Sequence, residues 1–272
     1  MTARLPSPPE TVDESPKDEP DRQFATTLAS GLDLLLAFRV GEAALGNKDF
    51  AERTGLSRPT VARLTHTLTE LGYLRHDPAL GKYHLGAAVL STSYSLLAGL
   101  HIRQIARPLM KALADRIGAA VSLGLRERTS MVYVETARST EQIAFTPDIG
   151  ATLPMLATSM GRAWLCRASA HERDEVLNRI KLADPAAWRR YVPQLPAIRS
   201  AFEQRGYCAC RAEWRDDVYG FAVPLARALE GRVFVVNCGV PVEGMKFAAL
   251  ESTVAPQLVA LVQELETLLG MR

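Results

Sequence analysis

Residues 47–85, NKDFAERTGLSRPTVARLTHTLTELGYLRHDPALGKYHL, contain two short amphipathic helical patterns around a glycine turn, followed by a basic hairpin. Ser57 stands where the N-cap of the second helix is expected, and Pro59 falls in its first turn, where a missing N–H breaks no helical hydrogen bond. The preceding helix is predicted to end at Thr54 and Gly55, because glycine readily adopts the left-handed conformation that closes helices. The stretch therefore predicts a helix-turn-helix.

The second helix is predicted to bury one apolar stripe at helical spacing, made of Val61, Leu64, Leu68 and Leu71. Beyond Gly72, residues 73–75 and 82–85 are typical of two short strands, and residues 77–81 supply a turn with Pro and Gly at its tip. This arrangement is a wing. A winged helix-turn-helix places its second helix in the major groove, so the sequence predicts binding to duplex DNA.

The side chains expected at the DNA form two groups. Arg58 and Thr60, at the start of the second helix, are predicted to meet base edges, whereas Arg63, Arg75 and Lys82 are predicted to hold phosphates. The alternative interpretation is that these are ordinary solvated side chains on a helix pair. The complete predicted set is Ser57, Arg58, Thr60, Arg63, Thr67, Arg75 and Lys82.

The chain resembles the IclR family of bacterial transcription regulators from about Phe24 to Pro241. The segments that match are, in order, GLDLLLAF, GLSRPTVARLTHTLTELGYL, GKYHLG, IRQIARPLMKALADRIG, GATLPMLATSMGRAWL, RGYCACRAEW and FAVPL. The TSMGR sequence at 158–162 is most similar to the branch that regulates aromatic-acid and β-ketoadipate catabolism. The resemblance implies an α+β protein in which a winged helix-turn-helix is joined by a linker helix to a GAF-like effector-binding domain.

The expected domain order follows from the motifs and the resemblance together. We expect a tail over residues 1–22, a winged helix-turn-helix over 23–85, a linker helix over 86–100 and an effector-binding domain over 101–272. Apolar periodicity in the last domain predicts helices at 102–117, 159–167, 172–180, 195–204 and 246–269. Alternating and β-branched segments predict strands at 121–127, 131–137, 142–145, 207–211, 220–226 and 233–238.

Residues 153–162, LPMLATSMGR, pass from a loop into a helix, whose first N–H groups carry the positive dipole end and suit a carboxylate. The alternative interpretation is that Thr158 only caps this helix and that Arg162 is solvated. The resemblance implies an effector pocket with Ser159 and Met160 at the helix start and further residues on three strands. The predicted effector-binding set is Leu153, Ser159, Met160, Gly161, Cys210, Gly220, Val236 and Cys238.

The pocket residues implied by the resemblance favour one class of ligand. Family members that regulate glyoxylate metabolism tend to carry an acidic residue and two serines where this chain has Cys210, Val236 and Cys238, which offer little hydrogen bonding. With Met155, Leu156 and Ile143 or Phe145 nearby, the wall is expected to be mostly apolar. We therefore expect a small carboxylic acid as effector, aromatic or a ring-cleavage product.

Four cysteines occur without C-x-x-C spacing, and Cys208 and Cys210 alternate on a predicted strand, so they share one face. The favoured interpretation is that they are small apolar side chains of a core or pocket. Two alternatives remain at this point: a regulator that senses oxidant or metal through Cys208, Cys210 and Cys238, and a cysteine-dependent enzyme. A catalytic cysteine needs a nearby base, and only His171 lies in the main C-terminal body. We predict no enzymatic activity, no cofactor and no metal site.

Composition is that of an ordinary globular protein: 272 residues, 47% hydrophobic, 23% charged and net charge +2. Residues 1–22 hold five prolines, three basic and six acidic side chains, which predicts disorder and leaves +5 for the remainder. The apolar stretch near 86–100 is too short to span a bilayer, and no signal peptide is evident, so a cytoplasmic location is expected. The expected partners are operator DNA, a small carboxylate and a second copy of the chain, in a dimer or a dimer of dimers.

Overall fold

The computed structural model describes residues 23–140, 147–242 and 246–271. Its contacts divide the chain into two compact units between Ser95 and Leu96. This division falls inside the predicted linker helix.

Several predictions concern segments outside the described residues. They are the disordered tail at 1–22, the strand at 142–145 and the placement of Ile143 and Phe145 at the pocket.

The N-terminal unit is a helix-turn-helix followed by a two-stranded antiparallel wing, as predicted. Its strands pair with Arg75 opposite His84 and Asp77 opposite Lys82. A further helix follows the wing and crosses the division between the units. The elements are α1 (Thr26–Leu36), α2 (Asn47–Thr54), α3 (Arg58–Glu70), β1 (Leu74–Asp77), β2 (Lys82–Leu85) and α4 (Ala87–Gly99).

The turn between α2 and α3 has the predicted geometry. Gly55 has a φ of 71°, in the left-handed region that glycine favours, and Ser57 caps α3 by accepting a hydrogen bond from the Thr60 N–H. One predicted member of the buried stripe is wrong. Leu71 is 62% exposed, because α3 ends at Glu70 and Leu71 lies at its C-cap. Thr65 is buried instead, and its hydroxyl donates to carbonyls of the preceding turn.

The C-terminal unit contains one six-stranded antiparallel sheet with helices on both faces, which confirms the predicted α+β class. A short 3₁₀ turn, Val192–Gln194, precedes α9. The elements are α5 (Ile102–Ile117), β3 (Ala120–Glu127), β4 (Ser130–Ala137), β5 (Thr152–Pro154), α6 (Ser159–Arg167), α7 (Ala170–Ala183), α8 (Pro185–Tyr191), α9 (Leu195–Arg205), β6 (Cys208–Arg211), β7 (Val218–Pro224), β8 (Val235–Pro241) and α10 (Phe247–Leu268).

The strand order β5-β4-β3-β8-β7-β6 gives the sheet two differently packed faces. One face packs against α5 and α10 around residues such as Leu123, Phe221 and Val236. The other packs against α6 around residues such as Tyr133 and Trp164. Strand β5 and helix α8 were not predicted from the sequence. Across the described ranges, no helix combines the length and apolar character that a membrane crossing requires.

Candidate functional site

The four cations predicted at the DNA are all exposed on the winged unit: Arg58 and Arg63 on α3, and Arg75 and Lys82 on the wing. Among the described residues, none of the four forms an ion pair, so all remain available to a polyanion. Three predicted hydroxyl groups, those of Ser57, Thr60 and Thr67, form local hydrogen bonds. The Thr60 and Ser57 hydroxyls lie 2.8 Å apart, and the Thr67 hydroxyl donates to the Arg63 carbonyl.

The carboxylates of Glu42 and Asp77, which the sequence analysis missed, accept hydrogen bonds that stabilise the winged unit. The Arg53 guanidinium, on α2, donates to both Glu42 carboxylate oxygens at 2.5 and 2.8 Å and to the Ala37 carbonyl. This hydrogen bonding lowers the pKa of Glu42 to about 2. At the wing tip, Asp77 accepts from the N–H groups of Ala79 and Leu80. The interactions of Arg53 fix the position of α2, and those of Asp77 stabilise the turn of the wing.

In the C-terminal unit, a cavity of about 320 Å³ lies between the sheet and the start of α6. Four of the predicted pocket residues line it: Leu153, Ser159, Cys210 and Gly220. Gly220 is required by close packing, because a Cβ there would lie 2.7 Å from the Ser159 Oγ.

The other four predicted pocket residues do not line the cavity. Val236 and Cys238 belong to the core on the opposite sheet face, where Cys238 stands opposite Val121 and Phe221. Successive strand residues point to opposite faces, so the cavity is lined instead by Asn237 and Gly239. The predicted placement was wrong by one residue.

The α6 residues next to Ser159 also face elsewhere. Met160 is fully buried and its sulfur lies against Gly124. Gly161 lies so close to the Met155 backbone that no Cβ would fit there. Successive helical residues differ in direction by about 100°, so only the first of the three can face the cavity.

The start of α6 is an open cap beside the cavity. Thr158 accepts a hydrogen bond from the Gly161 N–H and donates to the Pro154 carbonyl. The N–H groups of Ser159 and Met160 have no acceptor within the described part of the chain. They leave the positive end of the helix dipole free for an anion.

Arg162 is not solvated, contrary to the alternative interpretation. It is 2% exposed, its Nε donates to the Leu156 carbonyl at 2.8 Å, and its two terminal nitrogens bind the Glu213 carboxylate. Glu213 belongs to the loop between β6 and β7, which also lines the cavity. Arg162 therefore ties that loop to α6.

The same loop carries an arginine and two neighbouring aspartates, Arg215, Asp216 and Asp217. Arg215 forms a second ion pair with Asp217, at 2.9 and 2.6 Å, and Trp214 lies between the two pairs in sequence. Arg162 and Arg215 are thus each paired with a carboxylate.

The sheet side of the cavity contributes a polar group that the sequence analysis missed. The Asn237 amide donates to the Tyr133 hydroxyl at 3.1 Å, and Ser122 lies 3.1 Å from the Thr136 hydroxyl. Burial raises the pKa of Tyr133 to about 12, so the phenol stays protonated. Polar Ser122 and Asn237 in the middle of apolar strands were the available signal.

The three cysteines of the sensing alternative, Cys208, Cys210 and Cys238, do not all lie on one face of the sheet. Cys208 and Cys210 lie on the same sheet face, as predicted, and Cys238 lies on the other. Burial raises the pKa of the Cys210 thiol to about 12 and raises that of Cys238 as well. Contact with Cys166, together with burial, raises the pKa of Cys208. Protonated thiols are poor nucleophiles and poor metal ligands.

Known proteins similar to this chain are transcription regulators. The family model described as the IclR helix-turn-helix domain matches residues 27–78, and the model described as the bacterial transcriptional regulator IclR C-terminal region matches residues 94–266. The TsaQ1/TsaQ2 transcriptional regulator of Comamonas testosteroni is 33% identical, over 88% of this chain and 87% of that protein. These are regulators rather than enzymes.

Solved structures agree with the sequence relatives. An IclR family transcriptional regulator from Brucella abortus has a TM-score of 0.79 and 41% identity, over 91% of this chain and 94% of the other. An IclR homologue from Microbacterium hydrocarbonoxydans, solved in complex with 4-hydroxybenzoate, has a TM-score of 0.66 and 26% identity, over 90% of this chain and all of the other.

Proposed function

The chain belongs to the IclR family of bacterial transcription regulators and is a ligand-responsive, DNA-binding regulator, and we propose that its effector is an aromatic carboxylic acid. The observation that carries the proposal is the cavity between the sheet and the open cap of α6. A volume of about 320 Å³ suits a compact ligand of one ring.

The arrangement of polar groups supports a carboxylate at one end and a ring beyond it. The free N–H groups of Ser159 and Met160 suit an anion, whereas the neighbouring Leu153, Ala157 and Cys210 offer apolar contact. The two arginines near the cavity are already paired with carboxylates. The ligand's negative charge is therefore met by the helix start rather than by a free cation. The 4-hydroxybenzoate complex of the Microbacterium relative supports the same class.

A thermal-shift screen tests this proposal, because a ligand that binds only the folded chain raises the melting temperature. The panel contains small aliphatic acids, aromatic acids and ring-cleavage acids. We expect stabilisation by aromatic acids, and loss of that stabilisation in Ala157→Leu, which adds carbon atoms to the cavity wall. Stabilisation by an aliphatic acid alone contradicts the proposal.

We further propose that α3 enters the major groove of an operator. In this arrangement Arg58 and Thr60 face base edges, with Ser57 and Thr67 beside them, while Arg63, Arg75 and Lys82 contact phosphates. The exposure of these cations and their lack of ion pairs within the described residues support this assignment. In this proposal the phosphate contacts of Arg63, Arg75 and Lys82 provide affinity, and the residues at the start of α3 provide sequence preference.

Self-association is the third part of the proposal. Four apolar side chains at four-residue spacing, beginning just before α1, are exposed by 51–76%: Phe24, Leu28, Leu32 and Leu36. On α4, Leu90 and Tyr94 are exposed by 73% and 70%. Stripes of this kind on a water-soluble unit are typical of protein interfaces. A dimer gives two recognition helices for two half-sites.

Sedimentation measurements on the full chain test the interface. Leu28→Asp with Leu32→Asp is expected to shift the chain towards monomer. Leu182→Asp is the matched control, because Leu182 is an 85% exposed leucine on α7, in the C-terminal unit. An unchanged association state in the double variant contradicts the assignment of α1.

A further inference from the structure

A buried ion pair joins the cavity-forming sheet to the last turn of α4. The Arg103 guanidinium, on α5, approaches the Glu135 carboxylate at 3.0 Å and donates to the Leu97 carbonyl at 2.8 Å. The Glu135 side chain is 4% exposed and that of Arg103 is 19% exposed. One guanidinium thus bridges β4 and the end of α4.

Glu135 lies on β4 between Tyr133, which lines the cavity, and Thr136, whose hydrogen-bond partner Ser122 lines it. Two positions before it, Tyr133 lines the cavity and holds Asn237 by a hydrogen bond. The next residue, Thr136, lies within hydrogen-bond distance of Ser122, which also lines the cavity. The Thr136 N–H in turn lies 3.3 Å from the Glu135 carboxylate. A displacement of the cavity-lining residues Tyr133 and Ser122 is therefore expected to move Glu135.

The other end of the bridge is a helix end whose position matters. The Leu97 carbonyl is in the last turn of α4, where it also accepts a hydrogen bond from the Leu100 N–H at 3.3 Å and where the negative end of the helix dipole favours a cation. Arg103 supplies that cation from the first turn of α5. α4 is one continuous helix from Ala87 to Gly99. A tilt of its last turn therefore changes the direction of the whole helix.

We propose that Arg103 and Glu135 are positioning residues that transmit occupancy of the cavity to α4. The inference rests on the proposed function in that the occupant is the aromatic carboxylate and α4 is the linker to the DNA-binding unit. Neither residue touches the ligand. Their role is to make the position of the last α4 turn depend on the position of β4.

The test follows amide hydrogen exchange in α4 of the full-length chain with and without 4-hydroxybenzoate, while calorimetry measures binding of the same acid. In the wild-type chain, saturating acid is expected to change α4 exchange rates by about 5-fold or more, the lower end of typical coupling. Glu135→Gln is expected to bind the acid within about 3-fold of wild type while its α4 response disappears. Arg103→Lys, which retains a cation, is expected to retain part of the response.

Glu266→Gln is the matched control. Glu266 is as buried as Glu135, at 2% exposure, and accepts from the Ala226 N–H on the α10 side of the sheet. The same substitution there is expected to leave the α4 response intact, which separates coupling from general loosening. A full response in Glu135→Gln, or loss of the response in both variants, overturns the proposal.

A ligand-free arm distinguishes failure of the coupling from failure of the proposed function. Ala157→Leu fills part of the cavity and is expected to alter α4 exchange in the wild-type background but not with Glu135→Gln. If no aromatic acid binds the wild-type chain, the proposed effector class fails, and this arm still decides the coupling. Equal effects of Ala157→Leu in both backgrounds, or no effect in either, overturn it.

Discussion

The winged unit and the cavity hold their charges in opposite ways. On the winged surface, Arg58 and Arg63 are exposed and unpaired among the described residues. At the cavity, Arg162 and Arg215 are each bound to a carboxylate of the same chain. Free surface cations suit a polyanion and respond to salt, whereas paired charges leave the cavity nearly neutral. In our proposal, the two sites therefore recognise anions by different means.

The largest expected effect comes from breaking the buried pair. Arg162→Met leaves Glu213 without its partner and the Leu156 carbonyl without its donor, which is expected to lower the free energy of unfolding by about 3 kcal/mol. Arg215→Met is the control on the same loop, and its exposed pair with Asp217 is expected to contribute less than about 1 kcal/mol. Urea unfolding measures both. Equal losses in the two variants contradict the distinction between buried and exposed pairs.

The second-largest effect is expected at the exposed cations of the winged unit. Arg63→Ala is expected to weaken binding to every duplex and to reduce the slope of log affinity against log salt by about 1. Arg58→Ala is expected to cost about 1–3 kcal/mol on a duplex selected from a random-sequence pool and to relax base preference at one position. Binding titrations at several salt concentrations measure both. Uniform effects of both variants contradict the assignment of Arg58 to base edges.

A smaller effect is expected from one added methyl group at the cavity. In Gly220→Ala the new Cβ lies 2.7 Å from the Ser159 Oγ, so the serine must turn away from its position at the helix start. We expect about 10-fold weaker binding of an aromatic acid, measured by calorimetry. Gly239→Ala is the control, since its Cβ would make an ordinary 3.5 Å contact with Val218. Equal weakening of acid binding in both variants would mean that any added methyl group in the cavity reduces binding, which contradicts a specific role for the position of Ser159.

The smallest effect concerns acid. Arg53 lowers the pKa of Glu42 from its ordinary 4.5 to about 2, so the pair stabilises the winged unit fully above pH 4.5 and loses that contribution as the pH falls towards 2. Glu42→Gln is expected to reduce the fall in melting temperature of the winged unit over this range. Thermal unfolding at pH 6 and pH 3 measures it. An unchanged pH dependence contradicts this account of the α2 contact.

The local signals in the sequence were sufficient for the winged unit. Ser57, Gly55 and Pro59 fix the ends of helices through their own backbone chemistry, and the hairpin pattern marks the wing, so these predictions were confirmed. Leu71 was misplaced because a helical period says nothing about where the helix stops. One residue beyond the end of α3 was enough to expose it.

The cavity was harder to predict because its determinants are distant in sequence. From Val235 to Cys238, β8 is buried on both faces, so burial did not distinguish the two faces, and the single polar residue Asn237 was the signal for the side that lines the cavity. The pairing of Arg162 with Glu213, 51 positions away, leaves no local trace in either segment. Thr158, by contrast, caps α6 as the alternative interpretation described, and the sequence could indicate this because capping depends on neighbouring residues alone.

The most direct measurement compares 4-hydroxybenzoate with its neutral amide, 4-hydroxybenzamide, by calorimetry on the full-length chain. If the open start of α6 meets the ligand's charge, the acid binds about 10-fold more tightly or better, as expected for hydrogen bonds to a charged group. Ala157→Leu should abolish the heat of binding. Equal affinities for acid and amide, or binding that persists in Ala157→Leu, would contradict the account of the cavity.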